Sequence, residues 1–547
     1  MDASEAIAAP LASTKPVGAQ IRTVTAAALG TVFEWYEFTL YAAMAGVLAG
    51  KFFSGLDPSI GFLFALLTFG IGFIVRPVGA LVFGRLGDRI GRKRTFMITI
   101  MIMGLATFAV GLLPSYETAG IVAPILLITL RILQGLALGG EYGGAVIYVT
   151  EHVARNRRGL NTSFIQMTGT LGFLMALLSI QLVQAVVTQA VFDAWAWRIP
   201  FLISIVLLAV SIKVRLQMHE SPVFKKMAEE KRLSTSPVRE TFGSWENVKL
   251  MAIALIGIGG GMSVVYYNAV LYPLFFLSRT LSVPMPVANL MTTVAALCSI
   301  PMIWFAGWLS DRVGRKPVML AGFLLGAVVT FPVFHQIAEL ANPALAETQA
   351  KTAVTIRTDG AGCSFMFNPL GNRSFTAPCD VARQVLSGSS VNYERTDRSG
   401  SAATEVQVGD RVITVNGAAG FDQAQFTRDL KDALKQAGFG VPGNPDAAAQ
   451  VKIVGLLLVL LLAMALGYSP VGVAMAEMFP ARIRYTAMSF PYHFSSGWIG
   501  GLLPTFAFAI AVAKGNIFAG LWYTVGWLIV GIVITGLFYR ESRTDPD

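Results

Sequence analysis

Long apolar runs separated by polar stretches recur along the 547-residue chain, and twelve of them approach the roughly 20 residues with which an α-helix crosses about 30 Å of hydrocarbon. They lie at 22–49, 60–84, 95–114, 120–148, 161–186, 197–213, 249–275, 284–308, 317–337, 451–475, 485–513 and 517–539. In such runs apolar residues cover every face of the helix, which suits a segment whose neighbours are lipid and other apolar helices. The pattern predicts an all-α membrane protein with twelve transmembrane helices: a first set in 22–213 and a second in 249–337 and 451–539, joined by a linker at 214–248. Tails at 1–21 and 540–547 flank them. The first tail is polar, contains Pro10 and Pro16, and lacks the basic-then-apolar order of a cleavable signal, so the first run is expected to remain as a helix. One segment, 338–450, breaks the rhythm with a polar insertion between the ninth and tenth runs.

Composition agrees. Hydrophobic residues make up 54% of the chain and charged residues 14%, with a mean hydropathy of +0.61, outside the range of soluble domains. The positive charge is unevenly placed. Arg85, Arg89, Arg92, Lys93 and Arg94 follow the second run, Arg155, Arg157 and Arg158 the fourth, and Lys213, Arg215, Lys225, Lys226, Lys231 and Arg232 the sixth. In the second set, Arg312, Arg315, Lys316, Arg482 and Arg484 occupy the matching loops, whereas alternate loops hold isolated cases such as Lys51, Arg279 and Lys514. Short cytoplasmic loops carry the positive excess, so both termini are expected in the cytoplasm of a bacterial inner membrane, with the insertion on the outer side. The net charge of +10 is then topological, and a nucleic-acid partner is not expected.

The chain also repeats itself: Gly84-Arg-Leu-Gly-Asp-Arg-Ile-Gly-Arg-Lys93 returns as Gly307-Trp-Leu-Ser-Asp-Arg-Val-Gly-Arg-Lys316, each after the second helix of a set. A carboxylate at Asp88 or Asp311 can satisfy the free amides of a helix N-terminus. The arginines can pair across helices, and the glycines permit a tight turn and close packing. Gly84, Asp88, Arg89, Gly91 and Arg92, with Gly307, Asp311, Arg312, Gly314 and Arg315, are therefore expected to act as gating loops that latch the two sets; the plainer alternative is a turn with topogenic charges. The repeated loop resembles the signature of the major facilitator superfamily. Phe33-Glu-Trp-Tyr-Glu-Phe38, Arg76-Pro-Val-Gly79, Arg131-Ile-Leu-Gln-Gly135, Gly139-Gly-Glu-Tyr-Gly143, Trp197-Arg-Ile-Pro-Phe201, Glu220-Ser-Pro222 and Glu477-Met-Phe-Pro480 with Arg484-Tyr-Thr486 are similar to segments of its metabolite:proton symporter family. The resemblance implies two six-helix halves around a central cavity, alternating access by rocking, and proton-coupled uptake of an organic acid or a zwitterionic osmolyte. That family usually has Asp at the position of Glu37, so here the carboxylate reaches one methylene further.

Ionisable groups deep in a bilayer are costly and by default face a cavity or a partner. Glu34 and Glu37 fall near the middle of helix 1, Arg131 near mid-height in helix 4 and Arg76 in helix 2. Glu34 and Glu37 are read as proton carriers, and Arg131 as their partner or as the group that binds an anion. The alternative is a permanent salt bridge fixing helix 1 to helix 4. Arg76, Gln134, Gln166, Tyr266, Tyr267, Asn268, Tyr492 and His493 are further substrate-binding candidates, each with packing as the competing role. Glu141, among glycines in helix 4, serves either the pathway or an interhelical lock. Pro273, Pro470 and Pro504 are hinge candidates or ordinary kinks, and Cys298 reads as a packing residue.

Within the insertion, Val406-Gln-Val-Gly-Asp-Arg-Val-Ile-Thr-Val-Asn-Gly417 predicts two strands or a hairpin. A helix is expected after it, capped by Asp422 with Gln425, carrying Phe426, Leu430, Leu434 and Ala437 on one face and stopping at Gly438. Cys363 and Cys379 are expected to form a disulfide outside the cytoplasm. Substrate capture, docking of a periplasmic partner and a stabilising cap are all open roles for this small α+β unit. There is no P-loop, metal-ligand cluster or nucleophile elbow, so neither an enzyme nor a cofactor or metal is expected, and an ion gradient rather than ATP is the energy source. An uncoupled facilitator, an osmolyte transporter and a non-transporting receptor that reads a ligand through the insertion are the competing functions.

Overall fold

The computed structural model describes residues 17–55, 68, 70–358, 363–364, 375–397, 403–416 and 421–541. The chain begins with α1 (Val17–Phe52) and α2 (Arg76–Ile90). Among the described residues, ten helices after these are long and apolar enough to cross a membrane: α3 (Arg92–Leu112), α4 (Val122–His152), α5 (Arg155–Val186), α6 (Ala196–Leu216), α7 (Trp245–Thr280), α8 (Met285–Val313), α9 (Arg315–Ala341), α10 (Ala447–Met478), α11 (Arg484–Lys514) and α12 (Leu521–Phe538).

The helices form two groups. In the first, α1 packs on α4, α5 and α6, and α3 on α4 and α6; in the second, α10 packs on α7, α8 and α9, with α12 against α7 and α9. The groups meet where α2 lies on α11 and where α8 lies on α5. The second helix of each group therefore touches the fifth of the other, as the internal repeat demands. Gly91 separates α2 from α3 with φ 107°, and Gly314 separates α8 from α9 with φ 108°. A Cβ is strained in that backbone region, which explains glycine at the same place in both copies of the loop.

Wide turns interrupt two helices of the second group. α7 is π-helical at Ile253–Gly259 and Phe276–Thr280, and α11 at Ser495–Gly500. Pro273 lies between the two π segments of α7, and Pro470 stands where α10 breaks after Tyr468. Cys298 is exposed on α8, contrary to its reading as a packing residue. In a spanning helix an apolar run does not reveal which face meets lipid.

Between α9 and α10 the insertion begins with a helix, Pro343–Lys351. It continues through β1 (Val354–Thr358), a helix at Pro378–Gly388, β2 (Glu394–Asp397), β3 (Ala403–Val408) and β4 (Arg411–Asn416), and ends with a helix at Gln423–Gln436. The sheet order is β2-β1-β3-β4, with β2 parallel to β1 and the other pairs antiparallel. β3 and β4 form the hairpin seen in the sequence, turning at Gly409 with φ 58°. Asp422 accepts from the Gln425 amide at 2.9 Å, and Phe426, Leu430 and Leu434 are buried. Cys363 and Cys379 are bonded, their Cα atoms 5.3 Å apart.

Several ties join the insertion to the second group. The Tyr393 hydroxyl donates to Val512 O at 2.8 Å and its amide to Gly515 O at 2.8 Å, while the Ile517 amide donates to Asn392 at 2.9 Å. Asn342 donates to Leu281 O at 3.1 Å, and the Gly443 amide reaches the same carbonyl at 3.1 Å.

Candidate functional site

α1 brings both of its glutamates into the first group. Glu37 is 1% exposed, and its Oε1 lies 3.4 Å from a terminal guanidinium nitrogen of Arg131 on α4. The Arg131 guanidinium carbon stands 3.5 Å from the Tyr41 ring centroid, so an aromatic face as well as a carboxylate holds the cation. Arg76 lies over Phe73 at 4.5 Å and Phe38 at 5.6 Å. Glu34 is 7% exposed. In this cluster Glu34 Oε2, Glu37 Oε2, Arg76 Nε, Arg131 Nε and Arg131 Nη2 are buried without a hydrogen-bond partner among the described residues. Buried polar atoms are normally satisfied, so these five stand out as candidates to meet a polar guest or a proton.

An aromatic wall from the second group faces them. Tyr142 on α4 stacks on Tyr492 of α11 with centroids 3.8 Å apart, and Gln166 donates to the Tyr142 hydroxyl at 2.6 Å. The Tyr468 and Tyr492 hydroxyls are 3.2 Å apart. Tyr266 packs against Tyr468, Tyr267 and Trp35 of α1, and Tyr267 packs against Phe73. His493, 1% exposed, has neither ring nitrogen bonded among the described residues. Gln134 donates to Thr107 at 3.0 Å and keeps a buried Oε1 with no bond among the described residues.

Two candidates are held by partners of their own. Asn268 donates to Thr330 at 3.1 Å and accepts from Thr524 at 3.3 Å, so it cross-links α7 to α9 and α12 instead of facing the cluster. Glu141 pairs with Arg215 of α6 at 2.5 Å. Arg215 sits in a stretch whose basic residues suggest only topology, yet it is 1% exposed. Helical rotation accounts for this: Lys213, two residues earlier, is exposed on the opposite side. Tyr142, Tyr468 and Trp35 also join the site, although tyrosine and tryptophan in an apolar run do not announce a cavity.

At the loop-signature end, the two repeats form the same contact twice. Asp88 accepts from the amides of Tyr485 and Thr486 at 3.2 and 3.0 Å and from the Thr486 hydroxyl at 2.8 Å, at the N-terminus of α11. Asp311 accepts from the amides of Gly159 and Leu160, both at 2.8 Å, near the N-terminus of α5. A Cβ on Gly84 would approach Thr486 Cα to 2.7 Å, and one on Gly307 would approach Gly159 O to 2.6 Å, so both glycines permit the helix crossing. Arg92 lies 3.6 Å from Asp88 and 3.4 Å from Glu151, and Arg315 lies 2.6 Å from Asp311 and 3.9 Å from Glu477. The glutamates are shared across the groups: Glu151 meets Arg484 at 3.5 Å, and Glu477 meets Arg158 at 3.1 Å. Arg89 and Arg312 do not enter these networks; both are exposed, and Arg312 lies over Trp308.

The chain matches the family model described as sugar (and other) transporter over residues 23–357 and 434–546, and the gap falls within the insertion. It is 37% identical over 316 residues to the shikimate transporter of Escherichia coli K12, covering 56% of this chain and 70% of the relative. It is 35% identical over 322 residues to the proline/betaine transporter of the same strain, covering 57% of this chain and 64% of that one. Among solved structures, the proton:xylose symporter XylE bound to 6-bromo-6-deoxy-D-glucose aligns with a TM-score of 0.63 at 14% identity, covering 95% of this chain and 96% of that one.

Proposed function

Because the chain belongs to the sugar (and other) transporter family of the major facilitator superfamily, whose members are transporters and not enzymes, we propose that it is a proton-coupled symporter for a small organic acid or zwitterionic metabolite. In this reading twelve helices span a bacterial inner membrane, both termini and the signature loops are cytoplasmic, and the insertion is periplasmic. The observation that carries it is the buried cluster of Glu34, Glu37, Arg76 and Arg131, whose unbonded polar atoms lie against a tyrosine wall from the other half. A carboxyl that gains a proton releases its arginine, and the freed guanidinium then holds the carboxylate of a substrate; loss of the proton reverses both steps. Proton and substrate thus depend on each other through one cation.

Asp88 and Asp311, with their arginines, close the cytoplasmic end by capping helices of the opposite half. Breaking those caps opens it while the rest of each half moves as a body. Relatives named for shikimate and for proline/betaine support a polar, anionic or zwitterionic substrate.

The test is uptake of labelled organic acids and osmolytes into proteoliposomes, with and without an inward proton gradient, for the native chain and Glu37→Gln. Accumulation driven by the gradient, lost at least tenfold in Glu37→Gln while substrate exchange persists, is expected. Uptake indifferent to both the gradient and Glu37 would leave a facilitator, and binding without uptake a receptor.

A further inference from the structure

Tyr485 enters the opposite half of the molecule like a peg. It belongs to the first turn of α11, yet its ring fills a socket made of glycines on α2 and α4. A Cβ on Gly87 would lie 2.0 Å from that ring, and one on Gly144 would lie 2.2 Å from its hydroxyl. The hydroxyl donates to Gly140 O at 2.5 Å, and the residue is wholly buried. Its backbone amide is one of those that Asp88 caps, so the peg and the closed gate are one structural unit.

Beside the socket lies another buried ion pair. Glu141 follows the carbonyl that Tyr485 holds and binds Arg215, which also donates to Phe96 O at 2.8 Å and stacks on the Phe96 ring at 3.8 Å. Arg215 is thus fixed on three sides. Glu141 is held by one oxygen only, its Oε2 being buried and unbonded among the described residues. The pair lies against Gly30 of α1, where a Cβ would come within 1.5 Å of a guanidinium nitrogen and 2.8 Å of Glu141 Oε1. Gly30 is one helical turn from Glu34. The charged and titratable groups around this corner are Arg215 from α6, Glu34 and Glu37 from α1, Arg76 and Asp88 from α2, Arg92 from α3 and Tyr485 from α11.

We propose that Glu141 is the last proton station before the cytoplasm, and that Tyr485 is the plug sealing it while the cytoplasmic gate is shut. The proposal rests on the symport reading. A proton leaves the Glu34 carboxyl, its O–H bond breaking there and a new one forming on the free oxygen of Glu141. Neutral Glu141 then holds Arg215 less tightly. When the Asp88 cap breaks, α11 withdraws Tyr485 from the glycine socket, water reaches Glu141, and the proton passes to that water; the restored carboxylate pairs with Arg215 again. Proton release is thereby tied to opening of the gate, because one residue serves both.

The first assay needs no knowledge of the substrate. Full-length protein is reconstituted into liposomes loaded with pyranine, a pH-sensitive dye, and proton entry is followed after an imposed pH step with valinomycin and potassium clamping the voltage. Tyr485→Ala is expected to raise substrate-free proton leak at least fivefold over the native chain, and adding Glu141→Gln to that variant is expected to return the leak to the native rate. Tyr485→Phe, which keeps the ring in the socket, is expected to leave the vesicles tight. A tight Tyr485→Ala, or a leak that survives Glu141→Gln, overturns the proposal. Should Tyr485→Ala fail to fold, Glu141→Gln alone decides: gradient-driven accumulation of a labelled organic acid or osmolyte falls at least tenfold with exchange retained, and wild-type accumulation overturns the proposal. The second assay uses whichever compound of the labelled organic-acid and osmolyte panel the native chain accumulates; if it accumulates none of them against the gradient, the symport reading falls and this inference with it. If the native chain accumulates one of them and Glu141→Gln does so equally, only this inference falls.

Discussion

Lys213 and Arg215 stand two positions apart near the end of one helix, and the first is exposed while the second is 1% exposed. The difference decides what each can do. An exposed lysine sets topology; a buried guanidinium must be paired, and removing its partner or itself leaves a charge that costs about 3–5 kcal/mol. Arg215→Met is therefore expected to destabilise the protein by roughly 3–5 kcal/mol through the unpaired Glu141, and the double change Glu141→Leu with Arg215→Met by clearly less, since no charge is then stranded. Thermal unfolding in detergent compares them; a double variant as unstable as the single one would mean that the pair acts through shape rather than charge. The same residue shows the limit of reading the sequence. Glu34, Glu37 and Arg131 are legible because a charge amid an apolar run has no innocent place to go. Arg215 is hidden because it follows such a run, among residues that do reach water.

At the scale of helices, the internal repeat makes both loop contacts legible in the amino-acid sequence. Sequence spacing places Asp88 and Asp311 at equivalent helix ends and suggests amide partners, and each carboxylate accepts two amides of a helix from the other group. Which helix supplies those amides is not legible, because α5 and α11 are distant in sequence from the loops they meet. The π segments of α7 and α11 are equally silent, since they change the hydrogen-bond register and not the hydropathy. Asparagine in place of either aspartate keeps the shape but turns an –NH2 toward one of the donor amides. Hydrogen bonds to a charged group contribute about 1.5–3 kcal/mol, so Asp88→Asn and Asp311→Asn are each expected to shift the gate toward opening by about tenfold, the factor that 1.4 kcal/mol represents. Ser489→Cys reports this: Ser489 is buried against Gly143 on α4 in this structure. Maleimide labelling of that cysteine in inside-out vesicles is expected to accelerate about tenfold in either asparagine variant, and further when both are combined, because the two latches share no partner. Equal labelling in all forms would show that the caps do not hold the gate.

For the whole molecule, the insertion poses the question of what moves with what. Its hairpin and last helix are legible in the sequence because β3 alternates and Asp422 caps a helix with one apolar face. β1 and β2 are not, because β2 is exposed along its whole length and pairs in parallel with a strand some 40 residues before it, a register no local pattern encodes. The anchors of the folded unit lie at the end of α11 and the loop after it, at Val512, Gly515 and Ile517, and on Leu281 beyond α7. All of these belong to the second half, and Arg383 adds a further bond to the carbonyl of Val512 at 3.5 Å and of Ala513 at 3.3 Å. Alternating access by rocking keeps contacts within a half and changes those between halves. The insertion is therefore expected to ride with the second half, so that it swings relative to the first whenever the outer mouth opens or closes. Spin labels at Glu347 in the insertion and Met285 at the start of α8 are expected to keep one distance distribution in every state, whereas labels at Glu347 and Glu117, between α3 and α4, are expected to show two. Double electron–electron resonance on the native background and on Asp88→Asn with Asp311→Asn, which biases the gate, distinguishes these outcomes. A single Glu347–Glu117 distance in both backgrounds, alongside faster Ser489→Cys labelling, would mean that the insertion binds both halves and that the outer mouth opens without moving them apart.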